Sequence, residues 1–500
     1  MKCDIYQNIN TFMIRNPALP IENYYKLFSK SINKEQSNEY IRVLCNDTIF
    51  RESILVSSKD LYDKMIKFAK GGKISKSDYF FRSIYKYLIR MTTRSTPFGL
   101  LAGIDFRQYS DNETSIFYNE SRFHKFARPD FEWIMKLVKE IEIKYYQNLW
   151  FKNNAGIFIK GDRAVLVYST VKNEKDNIDE ISIRATSAFK TTYELTKQRI
   201  KYSDLKANLL EKYPLENEEK INNFLKQLIE SEFLISNLRP PLTVPDQFEY
   251  LIKEIRKSNI NEKLLENLVS IQRGIDIYNN TVGGNAEKLY LGLTKKMNDI
   301  TGAKTPLQVD MRINLKEKKL QKNIVNKINE LMNLLLSLSK KNNSLTKYKE
   351  DFIEKYGLDR EIPLLEMIDN DLGIGPPASY IHPRNNRLVY YDENEIIDEK
   401  VREYFLQKHV YALRHNFNYI ELKDDEIENL NLPKYSYDEI PNSIELDLIV
   451  KSDSQNEIKD QNLHYFIGPF RGSTHAGKSF GRFSHVMENS VDFFNKLNKL

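Results

Sequence analysis

The chain is 500 residues long, with 75 Lys plus Arg against 69 Asp plus Glu and a formal net charge of +6. At roughly 150 residues per domain that length fits about three domains or one multilobed enzyme, and so small a charge excess excludes a general nucleic-acid coat, leaving any basic site local. Hydrophobic residues at 41%, with 30 Tyr and 27 Phe, supply a sizeable core and exclude wholesale disorder, while 18 Gly and 16 Pro exclude collagen-like and linker classes.

Taken in chain order, the start MKCDIYQNINTFMIRNP interrupts its apolar run with Arg15 and offers no small-residue cleavage site, so it does not read as a signal peptide. No uninterrupted apolar stretch approaches 18 residues, which predicts no spanning helix and a soluble, cytoplasmic protein. The two cysteines, Cys3 and Cys45, exclude a disulfide framework or four-Cys zinc site; one bridge between them stays formally open. The β-branched runs IRVLCNDTIF and SILVSS predict strands within residues 1–60. Phe81, Ile84, Tyr85 and Leu88 fall at i, i+3, i+4 and i+7, a helical face that must end near Thr96, because Pro97 disfavours helix at its predecessor.

Residues 148–240 form the clearest module. LWFKNNAGIFIKG, RAVLVYST and EISIRAT predict three strands, and helices follow near Ser187–Lys197, Tyr202–Lys212 and Glu216–Ser231. In the last helix Ile221, Phe224, Leu225, Leu228 and Ile229 form one apolar face. This β-β-β-α-α-α order is similar to a winged helix with permuted elements, a fold that can bind DNA by a recognition helix or take a peptide as an added strand. Residues 314–356 predict a Lys-rich helical region with Ile324, Ile328, Leu331, Leu335 and Leu338 as its buried stripe. The last third returns to strands, among them RLVYY, SIELDLIV and LHYFIGPF.

Two motifs carry charge chemistry. Gly472-Ser-Thr-His-Ala-Gly477-Lys478-Ser479 matches the phosphate-cradling GxxxxGK[ST] string, but only 21 residues follow Ser479, too few for the further βα units of a nucleotide hydrolase. The reading kept is an anion site built from Gly-rich backbone N–H groups with Arg471, Lys478 and Arg482 around them. Arg82, Lys86, Arg90 and Arg94 recur every four residues, which fits either a solvated basic face favoured near a helix C-terminus or a carboxylate or phosphate site. The seven His, at 124, 382, 409, 415, 464, 475 and 485, show no HExxH or close pair, so no metal is expected. Asp369 and Asp371 precede Gly and Pro and read as turn formers. From the residues alone the fold class is α+β and multilobed, divided at 1–147, 148–240 and 241–500, with local Arg-rich anion sites and no assigned reaction.

Arg90-Met-Thr-Thr-Arg94-Ser-Thr96-Pro97-Phe98-Gly99-Leu closely resembles the hallmark of class I lantibiotic dehydratases. FMIRNPALP at 12–20, ARPDFEW at 127–133, LRPPLTVPD at 238–246, LQVD at 307–310, YGLDREIPLLEMIDNDLGIGPP at 356–377 and GPFRGSTHAGKSFGRF at 468–483 fit the same family in order. The resemblance implies a large glutamylation domain that takes glutamate from glutamyl-tRNA, as co-substrate, and attaches it to Ser or Thr of a ribosomal precursor peptide. No bound cofactor is implied. Carried over by motif, the catalytic positions are Arg15, Arg90, Arg94, Thr96, Asp130, Asp310 and Arg482; the basic residues Arg82, Lys86, Arg471 and Lys478, singled out above by their charge and spacing, are candidate anion or tRNA contacts. The embedded module corresponds to the family's leader-peptide recognition element, with Ile181, Ile183, Phe224 and Leu228 as leader contacts. Implied partners are the precursor with its leader, an elimination-domain protein or C-terminal half, a lanthionine cyclase and a second copy of the chain. The family's glutamylation domain extends past the GRF segment, whereas this chain stops at Leu500, so a split enzyme, a fragment and a decayed gene are the readings open. The alternative function is a non-catalytic subunit that binds a leader and delivers it.

Overall fold

A computed structural model describes residues 6–28, 34–74, 77–110, 115–169, 179–338, 345–378, 380, 399–432, 440–451, 464–473 and 477–499. The chain divides into two compact units, one of 1–6, 151–235 and 326–442 and the other of 7–150, 236–325 and 443–500. Each mixes helices with small sheets. Among the described residues no helix is long and apolar enough to cross a membrane.

The unit containing 7–150 is built on a four-stranded sheet in the order β1-β2-β10-β3, where β1 is Thr11–Pro17, β2 Ala102–Gln108, β3 Ser115–Pro129 and β10 Leu307–Lys319. β1 and β3 run antiparallel to their neighbours, and β10 runs parallel to β2 through Arg312 opposite Ile104. One face packs on helices, and the other is covered by the C-terminal segment. There Ile104 and Phe106 of the sheet bury with Phe480, Phe483, Val486 and Phe493. Phe480 stacks on Phe493 with ring centroids 5.0 Å apart. Aromatic contacts of this kind add to area burial and fix the orientation of the covering segment.

The strands expected within residues 1–60 are helices instead, Lys34–Asn46 and Thr48–Ser57. Asp47 between them caps the second, its side chain accepting the Phe50 N–H, a contact worth about 1 kcal/mol. Phe50, Ile54 and Leu55 then bury at helical spacing, so packing overrides the β preference of branched side chains. Residues 314–319, expected in a helical region, belong to β10; the helices there are Asn323–Ser337 and Thr346–Tyr356, with Ile324 buried and Ile328, Leu331, Leu335 and Leu338 half-buried. Cys45 is a free, buried thiol. Cys3 and the segment RLVYY lie outside the described residues.

In the other unit, β5 (Ile157–Lys160), β6 (Arg163–Ser169) and β7 (Asp179–Arg184) form an antiparallel meander, followed by helices Ser187–Leu195, Tyr202–Lys212 and Glu218–Glu230. The expected strand-then-helix order holds with one difference. Its first strand is two, because the chain turns at Asn154, whose side chain accepts the Gly156 N–H. β4 (Trp150–Asn153) therefore leaves the meander and pairs with β8 (Ile200–Lys201) and β9 (Leu234–Ser236). A winged helix is thus not what these elements establish.

The Asp369 turn lies in the same unit. Asp369 accepts the N–H groups of Asp371 and Leu372, and Lys160 bridges Asp369 at 3.0 Å and Asp371 at 2.5 Å. Burial pushes the Asp369 carboxyl up, but the Leu372 N–H, Lys160 and the Asp371 N–H outweigh it and hold it below the ordinary carboxylate range. A depressed folded-state value stabilises above the unfolded value of about 4 and loses that stabilisation as pH falls through the folded one. Asp369→Asn keeps the turn bonds and removes the charge. Its thermal unfolding should start lower at neutral pH and change less between about pH 5 and pH 2 than the wild type; equal acid slopes in melting curves would contradict this.

Candidate active site at one end of the sheet

Strand register brings distant motifs to one end of the four-stranded sheet. β1 ends and β2 begins there, with Pro17 opposite Ala102, and β3 ends where β10 begins, with Pro129 opposite Leu307. Because β2 and β10 are parallel, the starts of both lie at this end. The hallmark segment leads straight into β2. It begins in the last turn of helix Ser77–Thr93, and its Phe98 bridges back to Ala102. The Leu19 N–H donates to the Met91 carbonyl at 2.9 Å, tying the exit of β1 to the helix end.

Each carried-over residue has a definite place in this frame. Arg15 pairs in register with Ile104, on the face covered by the C-terminal segment, and its guanidinium lies 3.4 Å from Asp447 on β11 (Glu445–Lys451). The Arg90 guanidinium sits over the Phe98 ring at 5.0 Å, and its Nε is buried with no hydrogen-bond partner among the described residues. A buried unsatisfied donor is the group that an anionic ligand would complete. Arg94 and Thr96 are exposed beyond the helix end. Arg82 and Lys86 are exposed along the helix, whose buried side is Phe80, Ile84, Leu88, Met91 and Thr92, with Phe81 and Tyr85 half-buried. Asp130 caps helix Phe131–Tyr145 by accepting the Glu132 N–H at 2.9 Å, which places its carboxylate at the end of β3. Asp310 is 4% exposed in β10. Arg482 is exposed at the end of the short helix Lys478–Arg482, with its guanidinium 5.1 Å from the Phe483 ring.

The GxxxxGK[ST] string leads into this helix. Its helix is five residues long, and the Ser479 N–H donates to Glu445 at 2.9 Å, so a carboxylate of the chain itself occupies that donor. Lys478 is exposed; residues 474–476 and the side chain of Arg471, on β12 (His464–Ser473), lie outside the described residues.

The family model described as "Lantibiotic dehydratase, N terminus" matches residues 46–499. The chain belongs to this family. It is 35% identical over 500 residues to the subtilin biosynthesis protein SpaB of Bacillus subtilis, across 99% of this chain and 47% of that protein. With the nisin biosynthesis protein NisB of Lactococcus lactis subsp. lactis it shares 29% identity over 478 residues, 90% of this chain and 45% of NisB. The chain therefore spans about half the length of the curated relatives it matches. In fold it is similar to the tRNA-dependent lantibiotic dehydratase MibB from Microbispora sp. 107891, with a TM-score of 0.82 and 23% identity, covering 97% of this chain and 46% of MibB. The glutamylation domain TbtB from thiomuracin biosynthesis matches with a TM-score of 0.57 and 14% identity, over 90% of this chain and 56% of TbtB.

The sequence alone does not reveal a further group of polar residues beside the carried-over ones. His485 Nε2 lies 3.0 Å from Asp310 Oδ2, and Gln308 Nε2 donates to the same oxygen at 3.2 Å. Arg312, two residues beyond Asp310 and so on the same face, pairs with Glu488 at 2.7 Å and packs over the Phe126 ring at 5.6 Å. A cleft of about 650 Å³ opens beside this group, with Asp105, Arg107, Arg312, Glu488, Asp492 and Lys496 among its walls. The Asp105 carboxyl there is raised by burial, against the pull of Arg107. The only signal that sequence offered for Arg312 and Gln308 is the alternation of β10 around Asp310. Asp447, His485 and Glu488 meet the site only by tertiary packing.

Proposed function

We propose that this chain transfers glutamate from glutamyl-tRNA to Ser or Thr hydroxyls of a ribosomally made precursor peptide. The observation that carries the reading is the convergence of Arg15, the hallmark, Asp130 and Asp310 at one end of a single sheet. The relatives support it, since MibB is described as a tRNA-dependent lantibiotic dehydratase and TbtB as a glutamylation domain. In the step, the hydroxyl oxygen attacks the glutamyl carbonyl carbon, the new ester C–O bond forms, and the bond to the tRNA ribose oxygen breaks. The hydroxyl proton ends on that ribose oxygen. One ester replaces another, so the step needs no nucleotide hydrolysis. Arg90 and Arg94 supply donors for the glutamate carboxylate or terminal phosphates and for the oxyanion that develops on attack. Unpaired tRNA ends suit such recognition, because their bases and backbone are open to side chains. Later elimination of the glutamate is assigned to a partner domain or protein. Radiolabelled glutamate carried on tRNA should appear in the peptide, with a mass gain of one glutamyl residue per modified hydroxyl; a folded protein giving no labelled peptide would refute the proposal.

The leader of that precursor is proposed to add as a strand to β7. Among the described residues β7 is the edge of its meander, and Ile181 and Ile183 on it are half-buried. An exposed edge offers unpaired backbone groups, and alternate side chains then set selectivity. On helix Glu218–Glu230, Phe224 is half-buried and remains a candidate contact, whereas Leu228 is 3% exposed and belongs to the module's own core. A charge at Leu228 would therefore disturb folding rather than report on binding. Phe224→Asp should weaken binding of a fluorescent leader by about tenfold or more, the scale of one lost apolar contact plus a desolvated charge. Unchanged polarisation curves with a folded variant would remove Phe224 from the leader site.

A further inference from the structure

We propose that His485 is a positioning residue for Asp310, holding its carboxylate in the orientation that glutamyl transfer uses. The inference rests on the transfer reading above and extends it to a residue on the covering segment. A carboxylate in its ionised form only accepts hydrogen bonds, so against that form the 3.0 Å contact is made by the tautomer with its proton on His485 Nε2. The ring's other nitrogen, Nδ1, is buried with no hydrogen-bond partner among the described residues, which leaves Asp310 as the polar anchor of the ring. The Phe126 ring meets the imidazole edge-on at 6.5 Å between centroids and limits its tilt. On the other side, Asp310 is itself almost fully buried, and the bonds from His485 and from Gln308 both fall on Oδ2. Neither of these two donors bonds Oδ1.

The position of His485 in the fold explains why this hold is firm. His485 lies in the single turn Ser484–Val486, between Phe483, 4% exposed, and Val486, 2% exposed, both in the core that seats the C-terminal segment on the sheet. Glu488, three residues on, reaches back to Arg312 of the same strand as Asp310. Apolar seating, the ion pair and the histidine bond thus act on one short stretch of β10. A carboxylate fixed from two sides loses little orientational freedom on meeting its substrate, and misplacing such a group by about 1 Å can cost 10²-fold in rate.

The test compares two replacements of similar size in the complete protein. Gln has an amide N–H that can reach the carboxylate, whereas Met fills the space without a donor. Glutamyl transfer from charged tRNA to precursor peptide should fall about 10²-fold in kcat for His485→Met, with KM within about twofold, while His485→Gln should stay within about tenfold of wild type. In an Asp310→Ala background the His485→Met change should cost less than about threefold, because a positioning bond has no effect once its partner is gone. Melting curves for each variant separate these effects from unfolding. Equal rates for Gln and Met, or a Met penalty that persists in full without Asp310, would overturn the proposal even where transfer itself is observed. Independently of activity, nitrogen NMR should find the His485 proton on Nε2 in wild type and an altered tautomer distribution in Asp310→Ala. Spectra unchanged by that substitution would also overturn it. Absence of transfer by the wild-type protein would instead refute the glutamylation reading and leave the NMR result to decide the pairing.

Discussion

Lys125→Met should destabilise the unit built on the four-stranded sheet by about 3–5 kcal/mol, the scale for removing one partner of a buried ion pair. Lys125 and Glu52 are both fully buried, with Nζ 2.8 Å from Oε1. The other carboxylate oxygen accepts the Gly284 N–H at 2.5 Å, and the ammonium lies 4.1 Å from the centre of the Tyr278 ring. Burial pulls the Lys125 ammonium below its ordinary range, and Glu52 opposes that pull. Removing the cation leaves an uncompensated carboxylate in the core, so the loss exceeds that of the packing alone. Glu52→Gln in the same chain should restore part of the stability, since an amide still accepts the Gly284 N–H without a stranded charge. Chemical denaturation followed by tryptophan fluorescence reads both changes, Trp133 being fully buried in this unit. A Lys125→Met loss below about 1 kcal/mol would show that the pair is no more important than a surface bridge.

The largest effect on activity is expected at Arg94. Arg94→Lys should lower kcat/KM for glutamyl transfer by about 10²-fold or more, although the charge is kept. Arg94 is exposed just past the helix end and makes no ion pair among the described residues, so its planar fork is free to take an anion bidentately. Lys offers a single ammonium in place of two parallel donors. Stability should change little, because the side chain is solvated. Lys253→Arg, on an exposed helix where Lys253 pairs with Glu249, should transfer normally and serves as the charge-conserving control. Phosphate contacts release counterions, so the rate at subsaturating tRNA should also fall as salt rises. Near-wild-type kinetics for Arg94→Lys would mean that Arg94 only decorates a basic helix end.

Local sequence determined those parts of the protein whose physical cause is local. The helix that leads into the hallmark was legible because its apolar positions recur at helical spacing, although it ends at Thr93, three residues before the Thr96 end expected from Pro97. The three helices after residue 186 were legible for the same reason, and the Asp369 turn because Asp, Gly and Pro have short-range preferences. The strands wrongly expected near residues 41–58 show the limit of that reasoning. A capping Asp47 and the burial of Phe50 and Ile54 decided for helix against the β-branched composition. The motif residues of the candidate site could be named along the chain, but not assembled, because their meeting depends on strand register across hundreds of residues. Only the tertiary structure placed Arg15 opposite Ile104, Arg312 beside Ile104, and Asp310 under His485. Nothing in the composition or spacing around Asp447, His485 or Glu488 marks them. They reach the sheet because Phe480, Phe483, Val486 and Phe493 must bury against Ile104 and Phe106, and hydrophobic burial carries the polar neighbours with it.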